Sequence, residues 1–302
     1  MQIRLDKEKP SKSFMTHKLS NHETIHGISR WFYSGYCSFS GFLHLLPDFY
    51  ILGAQKSGTT ALFDYLTRHP NIPLTIKDIR FFDKYYDKGL DWYRLHFPLK
   101  ISKFTSQKIN TKQFMIGEAT ERYLEYPHAP KRIKKITPNA KFLIILRNPI
   151  ERTYSHYNFN VMRNKENRSF EDAIFHEFER IKNEFKKMQM DENYYSDEYF
   201  RYAYLDRSIY VEKLKKWLEI FPRDQFFIIE NEELSQNTSK VYVEVLKFLN
   251  LPKFELNEYK KIFTSKYKQP KIEQKVRDKL IEFFNPYNEE LYKILGVNYD
   301  WF

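Results

Sequence analysis

The stretch Pro47-Asp48-Phe49-Tyr50-Ile51-Leu52-Gly53-Ala54-Gln55-Lys56-Ser57-Gly58-Thr59-Thr60-Ala61-Leu62-Phe63 constrains this chain most. An apolar run of strand length meets Gly53. A short polar loop follows, closed by Gly58, and two threonines open a segment of helical periodicity. Strand, glycine loop and helix N-terminus together make a phosphate-holding geometry. The free N–H groups of the helix start point at the anion, and glycine lets the backbone come close.

The rest of the chain extends that unit. Phe114–Thr120 reads as a buried strand ending in polar residues, and Lys141–Arg147 is the strongest apolar run. Gln225–Glu230 reads as a further strand. Helices are expected over Thr59–Arg68, Gly89–Pro98, Ala129–Ile136, Ile150–Asn160, Ile209–Phe221 and Val241–Leu249, with a last one from Glu273 to Leu295 interrupted near Asn285-Pro286. Alternation of strand and helix predicts an α/β domain with a central parallel sheet flanked by helices. Ligands of such sheets lie at the carboxyl ends of the strands, where Gly53, Glu118 and Arg147 fall. Residues 1–46 read as a basic lead and an aromatic collar, and 47–302 as the main domain. Within it, 161–204 form a charged insertion whose apolar residues Phe170, Ile174, Phe178, Ile181 and Phe185 predict one amphipathic helix. Tyr194, Tyr195, Tyr199, Phe200, Tyr202 and Tyr204 follow it, and this cluster is the candidate substrate-facing part of the insertion.

The net charge of +11 favours anionic partners without choosing among nucleotide, glycan, membrane and nucleic acid. The single cysteine, Cys37, excludes an intrachain disulfide and a cysteine zinc cluster. Trp31–Leu46 is too interrupted for the roughly 18–20 apolar residues of a membrane span. No signal peptide is evident. The expected setting is cytoplasmic, with peripheral membrane contact as the alternative, and no metal is called for.

A nucleoside-triphosphate loop places its lysine directly after the second glycine. Here the lysine is Lys56, inside the loop, and Thr59 follows Gly58. Three further segments stand with it: Leu146-Arg147-Asn148-Pro149 with Ser155, Lys77-Asp78-Ile79-Arg80-Phe81-Phe82-Asp83, and Ser265-Lys266-Tyr267-Lys268. In these segments the chain resembles the sulfotransferases that use 3′-phosphoadenylyl sulfate, in particular the heparan-sulfate type and its prokaryotic relatives. Asn298-Tyr299-Asp300-Trp301 is similar to the family's ending. The resemblance covers about residues 47–160 and 205–302 and implies a P-loop NTPase-like sulfotransferase fold.

It also implies roles. Gly-Ala-Gln-Lys-Ser-Gly-Thr-Thr would be the 5′-phosphosulfate loop, with Lys56 on the leaving oxygen and Ser57, Gly58, Thr59 and Thr60 supplying donors. Arg147 and Ser155 would take the 3′-phosphate, an arginine at a strand tip being suited to bidentate phosphate contact. Lys266, Tyr267 and Lys268 would close over the nucleotide, where the family has Ser-Lys-Gly-Arg. The family's proposed base is a glutamate; here it is Asp78, one methylene shorter, with Glu118 as the alternative. Arg80 and Asp83 would complete the acceptor side. The family's frequent lysine at position 119 is replaced by Ala119. The implied reaction moves a sulfuryl group from 3′-phosphoadenylyl sulfate to a hydroxyl or amine of a carbohydrate, glycolipid or small-metabolite acceptor, leaving 3′,5′-ADP. Two other classes remain open from the sequence: a P-loop kinase or NTPase, against which the lysine position argues, and a basic glycan- or nucleic-acid-binding protein, which explains the charge but not the paired phosphate segments.

Overall fold

The computed structural model describes residues 40–72, 77–102, 114–260 and 272–302. Four strands, β1 (Phe49–Gly53), β2 (Gly117–Ala119), β3 (Lys141–Leu146) and β4 (Phe226–Glu230), form one parallel sheet in the order β2-β1-β3-β4. The helices in chain order are α1 (Thr59–Thr67), α2 (Gly89–Arg94), α3 (Ala129–Ile136), α4 (Pro149–Met162), α5 (Phe170–Phe175), α6 (Glu177–Arg180), α7 (Glu184–Met190), α8 (Asp197–Tyr202), α9 (Tyr210–Leu218), α10 (Asn231–Gln236), α11 (Thr238–Phe248) and α12 (Gln274–Leu295).

The sheet is covered on both faces, and period-two alternation assigns each strand residue to one of them. Tyr50, Leu52, Phe142, Ile144, Leu146 and Phe226 pack with Tyr93, Ile133, Trp217 and Phe284. Phe49, Ile51, Leu143, Ile145 and Ile229 pack with Leu62 and Leu66 of α1 and Val241 and Val245 of α11. Gly117 is fixed by this packing, because a Cβ there would lie 2.2 Å from the Phe49 ring.

Chain order places the ligand crevice. After β1 the chain crosses to β2 on one side; after β3 it crosses to β4 on the other. The carboxyl ends of β1 and β3 therefore flank a switch point, the usual ligand position in open α/β sheets. The β1–β3 register slips between Ile51 and Gly53, where β1 turns into the glycine loop.

Two expectations are corrected. The final helix does not break at Pro286: α12 runs through it. A mid-helix proline costs about 3 kcal/mol, but Leu280, Phe284 and Leu291 bury on either side and hold both halves to the core. The insertion is not one amphipathic helix but the short helices α5, α6 and α7, bent at His176 and at Asn183, whose φ is 63°. The turn changes its inward face: Phe178 is 50% exposed while Glu177 is fully buried. Glu177 is drawn in by three amides, accepting from Tyr204 N at 2.8 Å, Leu205 N at 2.6 Å and Asp206 N at 2.9 Å. Of the tyrosine cluster, Tyr199, Phe200 and Tyr204 are core residues.

Of the aromatic collar, Gly41–Leu43 forms a single 3-10 turn against α2. A Cβ on Gly41 would meet Asp91 at 2.5 Å, so the two backbones are in close contact. No helix among the described residues is long and apolar enough to cross a membrane. Nor do they gather a group of three or more His, Cys, Asp or Glu side chains fit to hold a metal.

Candidate active site

The loop after β1 ends at Gly58, whose φ of 92° is left-handed, and α1 starts at Thr59. Glycine fits this bend because a side chain there would be strained. The loop is held from beneath. Arg152, fully buried on α4, donates from Nε to the Gln55 carbonyl at 3.1 Å, and Arg207 Nη1 donates to Gln55 Oε1 at 2.7 Å. Burial, with Arg207 beside it, lowers the Arg152 guanidinium to about 10. Arg152 therefore braces the loop from inside.

The β3 tip meets the loop directly. Arg147 Nη1 donates to the Lys56 carbonyl at 3.2 Å, and Tyr210 holds the Arg147 carbonyl at 2.9 Å. Asn148 caps α4 by accepting from Ile150 N at 3.0 Å and Glu151 N at 3.3 Å, with Pro149 at the first helical position. Its amide also donates to the Trp301 carbonyl at 2.6 Å, seating the C-terminal segment here. Ser155 is half-buried on α4, one turn after Glu151.

Lys56 is half-buried with a φ of 72°. Its ammonium lies 4.4 Å from the centroid of Phe159, and Arg163 lies 4.1 Å from the same ring. Desolvation lowers the Lys56 ammonium; Glu121 opposes this, and Arg147, Arg152 and Arg163 add to it. Thr59 Oγ1 donates to Glu121 Oε2 at 3.0 Å, and the Lys77 ammonium donates to the Thr60 hydroxyl. The Asp78 segment is thereby tied to the helix start.

Asp78 is open to solvent yet set among dense protein. That desolvation raises its carboxyl to about 6; Glu121 pushes the same way, while Lys77, Arg122 and Arg80 oppose. Glu121 acts electrostatically on both Lys56 and Asp78. Asp78 and Arg80 both have φ of 60°. Among the described non-glycine residues with positive φ, only Lys56 and Arg80 are neither Asn nor Asp, the types that tolerate it, and both are in this site.

Arg80 donates to Asp83 Oδ2 from Nη2 at 2.8 Å and from Nε at 3.1 Å, and stacks 4.7 Å from the Tyr195 ring. Asp83 is 2% exposed, so it orients Arg80 rather than lining the cleft. Glu118 is fully buried beneath the site. It accepts from Thr120 Oγ1 at 2.8 Å and Tyr123 OH at 2.8 Å, and from the Tyr93 hydroxyl. Burial raises it to about 7. The structure thus brings together Lys56, Thr59, Thr60, Asp78 and Arg147, and leaves Glu118 and Asp83 below the surface. Lys266, Tyr267 and Lys268, like Cys37, lie outside the described residues.

Sequence reasoning missed Glu121, Arg122 and Tyr195. The Arg122 guanidinium donates to the Tyr195 hydroxyl and lies 5.1 Å from the Phe200 ring. The signal was adjacent: both charged residues directly follow Gly117-Glu118-Ala119-Thr120, where the reading of that strand stopped. Tyr195 stood in the tyrosine cluster, undistinguished from its core neighbours.

A parallel sheet with a glycine loop, helix N-terminus and facing arginine at its switch point is an arrangement suited to an anionic ligand. A family profile described as a sulfotransferase domain matches residues 46–284, and the chain belongs to that family. It is similar to the membrane-associated sulfotransferase kil1 of Dictyostelium discoideum, at 29% identity over 86% of this chain and 68% of that protein. It is also similar to human heparan sulfate glucosamine 3-O-sulfotransferase 5, at 30% identity over 85% of this chain and 74% of that one. The bifunctional heparan sulfate N-deacetylase/N-sulfotransferase 1 of Caenorhabditis elegans is 30% identical over 84% of this chain but only 30% of that longer protein. Among solved structures, a sulfotransferase from Alicyclobacillus acidocaldarius superposes with a TM-score of 0.65 and 26% identity over 85% of this chain and 99% of that one.

Proposed function

We propose that this sulfotransferase draws on 3′-phosphoadenylyl sulfate and acts on a hydroxyl or amine of a carbohydrate-type acceptor. The observation that carries the donor assignment is the Arg147–Lys56 contact at 3.2 Å. Together with the electrostatic effect of Arg147 on the Lys56 ammonium, it supports a single crevice in which a doubly phosphorylated adenosine would reach both. The residues fit that donor: N–H groups and hydroxyls at the start of α1, an ammonium in the loop, and an arginine with donors to spare beyond the one on the carbonyl. The names of the relatives support the acceptor class.

When bound, the donor supplies an activated sulfuryl group, whose S–O bond to the bridging oxygen breaks as a bond to the acceptor forms. Lys56 stabilises the charge that grows on the departing phosphate oxygen. Asp78 takes the acceptor proton, and its raised position makes it a stronger base than an ordinary aspartate while it remains ionised near pH 7. Arg147 and Ser155 hold the 3′-phosphate, and Lys266 and Lys268 add positive charge. Arg80 and Tyr195 face the acceptor, which gives residues 161–204 their part in a domain spanning 47–302. Thermal shift with 3′,5′-ADP against ATP tests the donor. The native chain should prefer 3′,5′-ADP, and Arg147→Ala should weaken it about 10–100-fold, the scale of a lost charged hydrogen bond. Unchanged affinity in that variant sinks the assignment.

A further inference from the structure

Three consecutive carbonyls of the phosphate loop are each held by a side chain from another element. The Gln55 carbonyl takes Arg152 Nε at 3.1 Å, the Lys56 carbonyl takes Arg147 Nη1 at 3.2 Å, and the Ser57 carbonyl takes Asn231 Nδ2 at 2.9 Å. A trans peptide points its C=O and its N–H in opposite directions. Tying the carbonyls of Gln55 and Ser57 to protein therefore turns the N–H groups of Lys56 and Gly58 the other way. Neither of these N–H groups has a backbone partner among the described residues, whereas Ser57 N closes a turn onto the Ala54 carbonyl at 3.2 Å.

The Ser57–Gly58 peptide is the one most able to turn over. Gly58 has a φ of 92° and no side chain to resist rotation. Turned over, that peptide would aim a carbonyl oxygen at an incoming phosphate. Its carbonyl is held by Asn231, the first residue of α10 at the tip of β4. The fit is close, since a Cβ on Gly58 would lie 2.9 Å from Asn231 Nδ2.

We propose that Asn231 is a positioning residue of the donor site: its amide locks the Ser57–Gly58 peptide so that the Gly58 N–H stays aimed at the 5′-phosphate end of the donor. The inference rests on the sulfotransferase reading above and adds a residue that none of the sequence motifs contains.

The test is calorimetric titration of the native chain, Asn231→Asp and Asn231→Ala with three probes: 3′,5′-ADP, 5′-AMP and 3′-AMP. Aspartate keeps the shape but cannot donate to the Ser57 carbonyl. The carboxylate would also face the Ser57 carbonyl without a hydrogen between them, so a purely structural role predicts a lower melting temperature and equal weakening of all three probes. Asn231→Asp should weaken 3′,5′-ADP and 5′-AMP about 10-fold or more, the scale of one lost hydrogen bond to a charged group, and change 3′-AMP less than about twofold. Asn231→Ala should do the same more mildly. Equal weakening of all three probes, or no change in any, overturns the proposal while leaving the donor assignment intact. A native chain that binds none of them removes both.

Discussion

On the loop side of the crevice, the groups assigned to the donor are backbone N–H groups, the Thr59 and Thr60 hydroxyls, the Lys56 ammonium and one arginine, and buried braces such as Arg152 and Arg207 hold the loop. On the Asp78 side they are side chains that restrain one another: Arg80 on Asp83, Arg122 on Tyr195, Lys77 on Thr60. The first construction suits an unvarying ligand, because a backbone N–H is present whatever side chain its own residue carries. The second suits a ligand that differs between relatives, because each contact is one mutation from another. Two departures from the family pattern, Asp78 and Ala119, fall on the second side, while two others, Tyr267 and Lys268, belong to the segment assigned to the nucleotide.

The largest expected effect tests whether the two carboxylates of that side differ as their burial says. Asp78→Asn should lower sulfuryl transfer by about 10²–10⁴-fold, the range for loss of a general base, with 3′,5′-ADP affinity unchanged. Glu118→Gln should leave turnover within about tenfold and lower the melting temperature, because a buried acceptor of three hydroxyls is disturbed. Radiolabelled transfer to an acceptor extract, read beside differential scanning fluorimetry, separates them. A turnover collapse in Glu118→Gln at unchanged stability would reverse the assignment. In the native chain, transfer should fall as pH drops below about 6, where Asp78 takes up its proton.

The same contrast explains what could be read from the chain. The sheet was legible because β1, β3 and β4 are short, mostly apolar runs and the faces alternate without exception through β3. Lys56, Arg147 and the helix start were legible because strand tips and glycines fix where they lie. Side-chain pairings across long separations were not. No periodicity signals that Glu177 goes inward while Phe178 stays out, since three amides from residues 204–206 decide it. Nor does sequence show that Asn231 reaches Ser57, or that Tyr195 differs from Tyr199, which is core. Glu118 stands at a strand tip like Gly53 and Arg147, yet hydroxyls from Tyr93 and Tyr123 enclose it.

A smaller effect probes how far the second side belongs to the acceptor. The Tyr195 ring lies 4.7 Å from Arg80 and 5.1 Å from Lys84, and it stacks on Phe200 at 5.0 Å. Tyr195→Ala should raise the acceptor KM about 5–10-fold, in line with one lost cation–aromatic contact, and leave 3′,5′-ADP affinity alone. Tyr195→Phe keeps the ring and loses only the hydroxyl that Arg122 reaches, so its shift should be smaller. If 3′,5′-ADP affinity moves as much as the KM, the two sides are not separable and the division drawn above fails.

The smallest effect concerns stability and has a definite sign. The Asp78 carboxyl is raised from 3.8 to about 6 on folding. Between those values the folded chain binds more protons than the unfolded one, so this group makes stability fall as pH rises through that window. Asp78→Asn removes the dependence. Its melting temperature should match the native chain below about pH 4 and exceed it above about pH 6, by at most about 3 °C for a domain of this size. A difference of opposite sign at pH 7 would mean that the carboxylate is stabilised by Lys77, Arg80 and Arg122 more than it is opposed by burial and Glu121. The site would then be built to hold a charge rather than to keep a base reactive, and a role for Asp78 in binding would replace the one in proton transfer.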